Sequence, residues 1–377
     1  MAMEQVLHMA GGSGETSYAA NSKFQEKSLR MIMPMMDLAI EEVCKSLPTE
    51  RSMVVVDLGC STGSNTFLVV SEVLKVVGNA VAVRNTTNDP LPLEIQFYLN
   101  DLPGNDFNQV FRSLDQFKQQ VKEQMISSLV PYYYIAGLPG TFHGRLLPHQ
   151  SVHFFNSSMS VQFLSQMPQG IEGMNKKNIY IAKSSPPQVL KVYQEQFQRD
   201  FSCFLECRHA ELDGRAGRML LSLPGRKNHG QPYQGFAFLF QLLAQALYDL
   251  VLEGKIAEEK LDNFNMPFYC PSMEEMAKMI ESQGLFVVER AETFEMNWDP
   301  ADESSDDDQL DFDDAARSGK NIAKYVRAGF AGLLARQFGE EVIDEAFSRY
   351  AANISKHLLR EKTKHFILFI LLKKRGV

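Results

Sequence analysis

The sequence predicts an α/β protein with a mainly parallel sheet. Three observations predict it. Short apolar runs alternate with amphipathic stretches along the 377 residues. The run Met53–Val56 passes into an acid and then into glycines and small polar residues, Asp-Leu-Gly-Cys-Ser-Thr-Gly-Ser-Asn. The composition, 45% hydrophobic and 22% charged, is that of a globular chain long enough to bury a sizeable core.

Taken in order, residues 1–22 are rich in Gly and Ser and read as irregular. Residues 23–46 carry apolar side chains at helical spacing, with Pro34 expected to kink or divide the helix. Met53–Val56 reads as a buried parallel strand, and Asn65–Val77 as the helix that follows it. Residues 78–92 read as a surface loop. Glu94–Leu99 alternates and ends at Asn100-Asp101, a second strand closed by an acid. Asp106–Gln119 reads as a helix. Further strands are expected at Tyr132–Ala136, Val152–Phe155, Met219–Leu223, Leu285–Glu289 and His365–Leu372, and helices at Lys191–Cys207 and Gly235–Leu252. Strands alternating with helices favour a sheet whose ligands bind at the carboxyl ends of its strands. The helical segments at 23–46, about 235–282 and 317–360 exceed what one sheet needs, so part of them is expected to cap those ends. The acidic run at 299–314 reads as a solvated, mobile loop; it lacks the ligand spacing and the glycine of a calcium loop.

The net charge of −8 and the absence of a basic patch argue against nucleic acid as a partner. The run Phe366–Leu372 is too short to span a bilayer, so no membrane is expected. No secretory pattern opens the chain, and its five cysteines include no C-x-x-C pair, which suits a reduced, cytoplasmic protein. Cys203 and Cys207 stand one helical turn apart and read as a half-buried helix face before a metal pair.

The turn after the first strand admits three ligand readings. A phosphate-binding loop fails, because Gly59 and Gly63 are separated by three residues and no lysine follows. A dinucleotide fingerprint is weak, since the next acid at a strand end is Asp101. S-adenosylmethionine (SAM) fits best: Asp57 ends one strand, Gly59 lets backbone approach a ligand, and Asp101 ends a neighbouring strand where a carboxylate takes both ribose hydroxyls. A purely structural strand–turn–helix remains the alternative.

Five blocks extend the pattern: GETSYAANS at 14–22, DLGCSTGSNT at 57–66, FYLNDLPGNDFN at 97–108, GLPGTFHGRLLP at 137–148 and EKLDNFNMPFYCPS at 259–272. On these the chain resembles, along essentially its full length, the plant SABATH methyltransferases, which include salicylate, benzoate, jasmonate and anthranilate carboxyl methyltransferases and the xanthine N-methyltransferases. The resemblance implies a Rossmann-like, seven-stranded, mostly parallel SAM-methyltransferase sheet with a helical cap, and a homodimer. It implies an N-terminal segment, 1–22, closing over the active site of a methyltransferase domain, 23–377, capped mainly by about 235–282 and 317–360. It implies SAM contacts from Ser22, Asp57, Asn65, Asp101, Leu102, Thr141 and Phe142, with Tyr18 and Cys60 close by. Thr141 stands where relatives usually have Ser, and Ser64 where they have Pro. A magnesium position described for some members maps to Asn175, Asp262, Phe264 and Asn265.

In the carboxyl methyltransferases a Gln and a Trp hold the substrate carboxylate. The Gln is Gln25, but the Trp position is Phe163, which donates no hydrogen bond. Gln162 precedes it and offers an amide; Met159 stands where a Tyr is common; Phe240 is expected on the far wall. An acid of pKa near about 4 is already ionised at neutral pH, so no general base is required. His143 is accordingly read as fixing loop geometry, and His149 and His153 as structural. The leading expectation is methyl transfer from SAM to a small aromatic acid of benzoate, salicylate or anthranilate type. The alternatives are a xanthine N-methyltransferase, which Met159 disfavours, a jasmonate-type enzyme, and a SAM-binding protein without transfer.

Overall fold

The computed structural model describes residues 3, 7–47, 52–84, 94–125, 130–215, 217–228, 230, 232–303 and 310–376. Seven strands, β1 (Ser52–Leu58), β2 (Glu94–Asp101), β3 (Tyr132–Pro139), β4 (Phe154–Ser158), β5 (Arg218–Gly225), β6 (Phe286–Asn297) and β7 (Lys364–Lys374), form one sheet in the order β3-β2-β1-β4-β5-β7-β6. The first five pair in parallel, and β7 runs antiparallel to both β5 and β6. The parallel strands are apolar along most of their length because helices cover both faces; every residue of β5 is buried.

The helices are α1 (Tyr18–Asn21), α2 (Lys23–Ser46), α3 (Asn65–Arg84), α4 (Phe107–Arg112), α5 (Leu114–Gln124), α6 (Pro187–Glu211), α7 (Phe236–Leu252), α8 (Glu258–Asp262), α9 (Met273–Gln283), α10 (Phe312–Phe338) and α11 (Ile343–Leu358). α2 packs on α3 and on the β4, β5 and β7 strands, whereas α7 and α10 pack on α11, and α10 reaches α1.

Two features of the topology make the site. The order reverses at β1, which pairs with β2 on one side and β4 on the other, and a crevice opens at such a point. The registers Leu58↔Asn100, Asp101↔Pro139 and Leu58↔Ser157 bring the ends of four strands to one rim. β7 reaches that rim from the opposite direction: Gly225, at the end of β5, faces Phe366 near the start of β7. Hence His365 lies among strand ends although it opens a strand.

Several elements differ from the sequence reading. Pro34 lies inside one continuous α2 and does not divide it. The lost backbone bond is outweighed by a buried face that includes Ile32, Met36, Ala39, Ile40 and Val43. Residues 18–21 form a helical turn capped by Ser17, whose hydroxyl accepts from Ala20 N at 3.3 Å. The helix expected over 106–119 is two, α4 and α5, meeting at Ser113. α3 continues to Arg84, past the start of the expected loop, and 85–93 lie outside the described residues. β6 runs well beyond Glu289 because β7 pairs with it to Asn297 across a bulge at Val288/Arg290.

The acidic run is anchored at both ends. Asp299 is buried, accepting from Ala301 N and the Asn321 amide, and Asp311 caps α10 through Asp314 N; 304–309 lie outside the described residues. Among the described residues no helix is long and apolar enough to cross a membrane.

Candidate active site

The rim is a hydrogen-bonded frame. Gly59 has φ +78°, and a Cβ there would lie 2.4 Å from Ser160 Cβ, so conformation and space both require glycine. Gly59 N and Cys60 N both donate to Asn100 O at 2.9 Å, which ties the turn to β2. Ser61, itself left-handed at φ 56°, donates its N–H to Asp101 Oδ2 at 2.7 Å and accepts from the Asn105 amide at 3.0 Å.

The two acids of the rim have different tasks. Asp57 accepts from Thr66 Oγ1 and Asn156 Nδ2, each at 2.7 Å, so both its oxygens hold the turn together. Burial raises its pKa, and those two hydrogen bonds act against the rise. Asp101 instead lines a cavity. Its oxygens each take one backbone N–H, from Ser61 and Leu102, which leaves acceptor capacity on both. Burial, opposed by those two bonds, pushes its pKa up to about 6.

The cavity spans about 1020 Å³ of space between atoms, part of it open to solvent. Gly59, Ser61, Asp101, Leu102, Thr141 and Phe142 line one end, together with Tyr18 from the N-terminal segment. Ser22, Asp57, Cys60 and Asn65 are not in the lining. Asn65 donates to Ser22 O at 3.2 Å and so pins the α1–α2 junction to the turn. Cys60 is buried, and burial raises its thiol pKa.

The loop bearing Thr141 and Phe142 is strapped to one face of α6. Arg208 donates to Phe142 O at 2.9 Å and Gly144 O at 2.6 Å, and to Glu211 at 2.7 Å. Glu211 accepts from Leu146 N and Leu147 N, and the Cys203 thiol donates to His143 O at 2.9 Å. Loop geometry is therefore held by this helix, and the His143 ring, which lines the cavity with its Nδ1 unpartnered, also interacts with the backbone of Phe163 and Asp200. Burial holds that ring below the usual histidine pKa, so it is neutral. Cys203 is exposed, and among the described residues no cluster of three His, Cys, Asp or Glu forms a metal site around it. His153 is structural, as expected: its Nδ1 accepts from Val54 N at 2.9 Å. The Arg208–Glu211 strap was not visible in the sequence, because nothing local distinguishes a buried helical arginine from a solvated one.

The other end of the cavity is aromatic. Phe24, Phe163, Phe236, Phe268, Tyr325 and Phe330 line it, and Met3, Leu7 and Met9 close it from the N-terminal side. Gln25, Met159, Gln162 and Phe163 are all in the lining, as the sequence suggested. Phe240 is not; it lies one layer behind, edge-on to Phe268 at 5.3 Å and Phe330 at 5.4 Å. Met159 is left-handed at φ 53°, and its carbonyl accepts from Gln162 Nε2 at 2.7 Å. That bond uses one of the two amide N–H groups. Gln162 Oε1 and Gln25 Oε1 are buried and have no partner. An unpaired buried carbonyl costs about 1–3 kcal/mol, a cost that a ligand donor removes.

The residues considered for magnesium do not fit it. Asn175 Oδ1 accepts from Ser185, Asn265 Oδ1 accepts from the Asn175 amide, and Asp262 Oδ1 accepts from Lys177 N. Phe264 packs edge-on against Phe338. A hard cation needs a shell of free oxygens with more than one carboxylate to balance it; here protein donors already use an oxygen of each polar side chain.

Comparison with known proteins gives a consistent result. The model of a family described as SAM dependent carboxyl methyltransferase matches residues 4–375. Anthranilate O-methyltransferase 1 of Zea mays is 42% identical over 382 residues, covering 99% of this chain and 98% of its own. Probable jasmonic acid carboxyl methyltransferase 1 of Theobroma cacao is 41% identical over 383 residues and covers both chains fully, at 100% each. The solved structure of loganic acid methyltransferase with SAH aligns at a TM-score of 0.81 and 29% identity, over 98% of this chain and 99% of that one.

Proposed function

Because the chain belongs to the SAM-dependent carboxyl methyltransferases, we propose that it methylates the carboxylate of a small aromatic acid, preferentially one with a hydrogen-bond donor beside the carboxyl, as in anthranilate. The observation that carries this reading is that one cavity joins the Asp101 rim to an aromatic chamber equipped with two unpartnered amide carbonyls. SAM supplies a methyl group on a sulfonium that departs as a neutral thioether.

The residues divide the work. Asp101 accepts from the ribose hydroxyls of the cofactor, Gly59 and Ser61 bring backbone against it, and Leu102, Thr141 and Phe142 flank its base. Asp57 keeps the turn in shape. Tyr18, tied in through Ser22 and Asn65, covers the cofactor from the N-terminal side. The acid enters with its ring between Phe163, Phe268 and Phe330, and the Gln25 amide donates to its carboxylate. Gln162 accepts from an ortho amine or hydroxyl through Oε1, its unpartnered buried carbonyl.

Rate comes from position and dryness. A carboxylate oxygen held about 3–3.5 Å from the methyl carbon, in line with the leaving sulfur, needs no base. An apolar chamber strips the water that blunts its nucleophilicity. His143 is thus left without a proton to remove.

The test is to incubate the enzyme with labelled SAM and benzoate, salicylate, anthranilate, jasmonate and xanthine, and to identify the products. Methyl esters of the aromatic acids, anthranilate leading, are expected. N-methylpurines without esters, or cofactor binding with no product from any acceptor, would overturn the reading.

A further inference from the structure

The far end of the acceptor chamber is closed by four rings from four elements. Phe24 of α2 lies parallel to Tyr325 of α10 at 5.2 Å and edge-on to His365 of β7 at 4.8 Å. Phe236, the first residue of α7, stacks on His365 at 4.2 Å. The Tyr325 hydroxyl meets His365 Nε2 at 2.9 Å. Phe24, Phe236 and Tyr325 are part of the cavity lining, while His365 stands behind them, fully buried. Trp298 backs the group, 6.1 Å from His365, and is itself buried.

His365 is an expensive residue to bury here: its Nε2 meets Tyr325, while its Nδ1 is buried without a hydrogen-bond partner among the described residues. Burial drives its pKa down to about 3, so the ring is neutral, and burial raises the Tyr325 phenol above its usual range. The two therefore meet as a neutral hydrogen bond. A buried tyrosine hydroxyl needs such a partner, and the bond fixes a ring that otherwise turns about its side-chain torsions. One turn further along α10, Gly329 also lines the cavity and adds no side chain. Along α10, the bulk presented at this end is thus Tyr325, beside the Phe24 and Phe236 rings.

We propose that Tyr325, held in place by His365, is the stop that sets acceptor length: acids whose carboxyl is borne directly on one ring fit, and acids that extend the ring on a longer chain do not. The proposal rests on the reading of this chamber as the acceptor site. Tyr325 is then a specificity-determining wall, and His365 is a positioning residue that acts through it.

The test reads binding, so it does not depend on turnover. Dissociation constants of benzoate, phenylacetate, 3-phenylpropanoate and 4-phenylbutanoate are measured by calorimetry with S-adenosylhomocysteine present. For the wild type, affinity falls by about tenfold or more along the series, in line with what a hydrophobic site imposes on added methylenes. Tyr325→Ala, or Tyr325→Leu where the alanine variant is unstable, binds 4-phenylbutanoate about tenfold more tightly than wild type, with S-adenosylhomocysteine affinity unchanged. Tyr325→Phe retains the ring but loses the hydrogen bond to His365, so it relaxes the preference less than Tyr325→Ala does. His365→Leu relaxes the preference less than Tyr325→Ala does, because the ring remains but loses its fastener. A wild type that binds all four acids equally, or a Tyr325→Ala enzyme with the wild-type ranking, overturns the proposal. Failure of the parent reading shows separately, as an absence of ester formation with acids that bind.

Discussion

The two ends of the cavity are built on opposite principles. At the rim the backbone and the two acids are tied together: Gly59, Cys60 and Ser61 donate to Asn100 and Asp101, and Asp57 serves Thr66 and Asn156, while Ser61 Oγ, Thr62 Oγ1, Asn100 Oδ1 and Asn156 Oδ1 stay buried without a partner among the described residues. In the chamber the walls are rings, and buried amide oxygens of Gln25 and Gln162 have no partner. A site for one invariant cofactor is best preorganised by backbone and carboxylate hydrogen bonds that fix its turn. A site for the variable partner is specified by shape and a few unpaired groups, whose cost falls only when the right ligand arrives. The contrast teaches that the cofactor should tolerate substitutions in the chamber, whereas the choice of acid should not.

The largest break is expected at Asp101. Asp101→Ala should weaken SAM binding by about a hundredfold or more, since charge-assisted hydrogen bonds are worth about 1.5–3 kcal/mol each. Binding calorimetry checks it, and unchanged affinity would remove Asp101 from the cofactor site.

Arg208→Met should strip the strap from the 141–147 loop and leave the fully buried Glu211 with only the exposed Arg145, at 3.4 Å, as a cation. A loss of about 3–5 kcal/mol of stability is expected, read by urea denaturation. A near-neutral result would mean that the strap contributes nothing to the loop.

The pH dependence separates the two ends as well. Asp101 is held near pH 6 by burial. Its raised pKa means that the fold favours the protonated acid, so this group's contribution to stability is full below the unfolded carboxylate range and is lost as pH rises through about 6. Cofactor affinity has the opposite sign, because the ribose needs the ionised form. SAM binding should therefore weaken as pH falls below about 6 and level off above it. A profile flat down to pH 4.5 would contradict the assigned role.

Smaller effects belong to the chamber. Gln162→Met removes the unpartnered carbonyl at nearly constant volume, and should lower the anthranilate-to-benzoate ratio of kcat/KM by about tenfold with the KM for SAM unaltered. Phe163→Trp restores an indole donor near the carboxylate and should raise kcat/KM for the acids a few-fold, by about 1 kcal/mol. Its rings at 5.4 Å, Phe268, and 5.9 Å, Phe330, must shift to admit the larger side chain, which limits the gain.

The same contrast decides what was legible in the sequence. The strand-end acids, the glycine turn and the places of the strands along the chain were legible because each depends on a contiguous stretch: an apolar run, an acid, then glycines. Even there, Asp57 and Asp101 looked alike, and the difference between an acid that holds the turn and one that faces the cavity lies in Thr66 and Asn156, the latter on another strand. The chamber was legible only in part. Gln25, Met159, Gln162 and Phe163 were found through family blocks, but Phe240 proved to be a second-layer ring, and Tyr325 and His365 were not foreseen. Their meeting depends on β7 entering the rim from the opposite direction, a long-range consequence that no local pattern records.

Anthranilate offers both an amine and a carboxylate, so the position of the transferred methyl tests the central claim most directly. The enzyme is incubated with anthranilate and methyl-labelled SAM, and the product is identified by mass spectrometry and NMR. The expected product is the methyl ester with its amine free, because the carboxylate is the ionised nucleophile and Gln162 engages the amine. N-methylanthranilate, or no labelled product while both ligands bind, would contradict it.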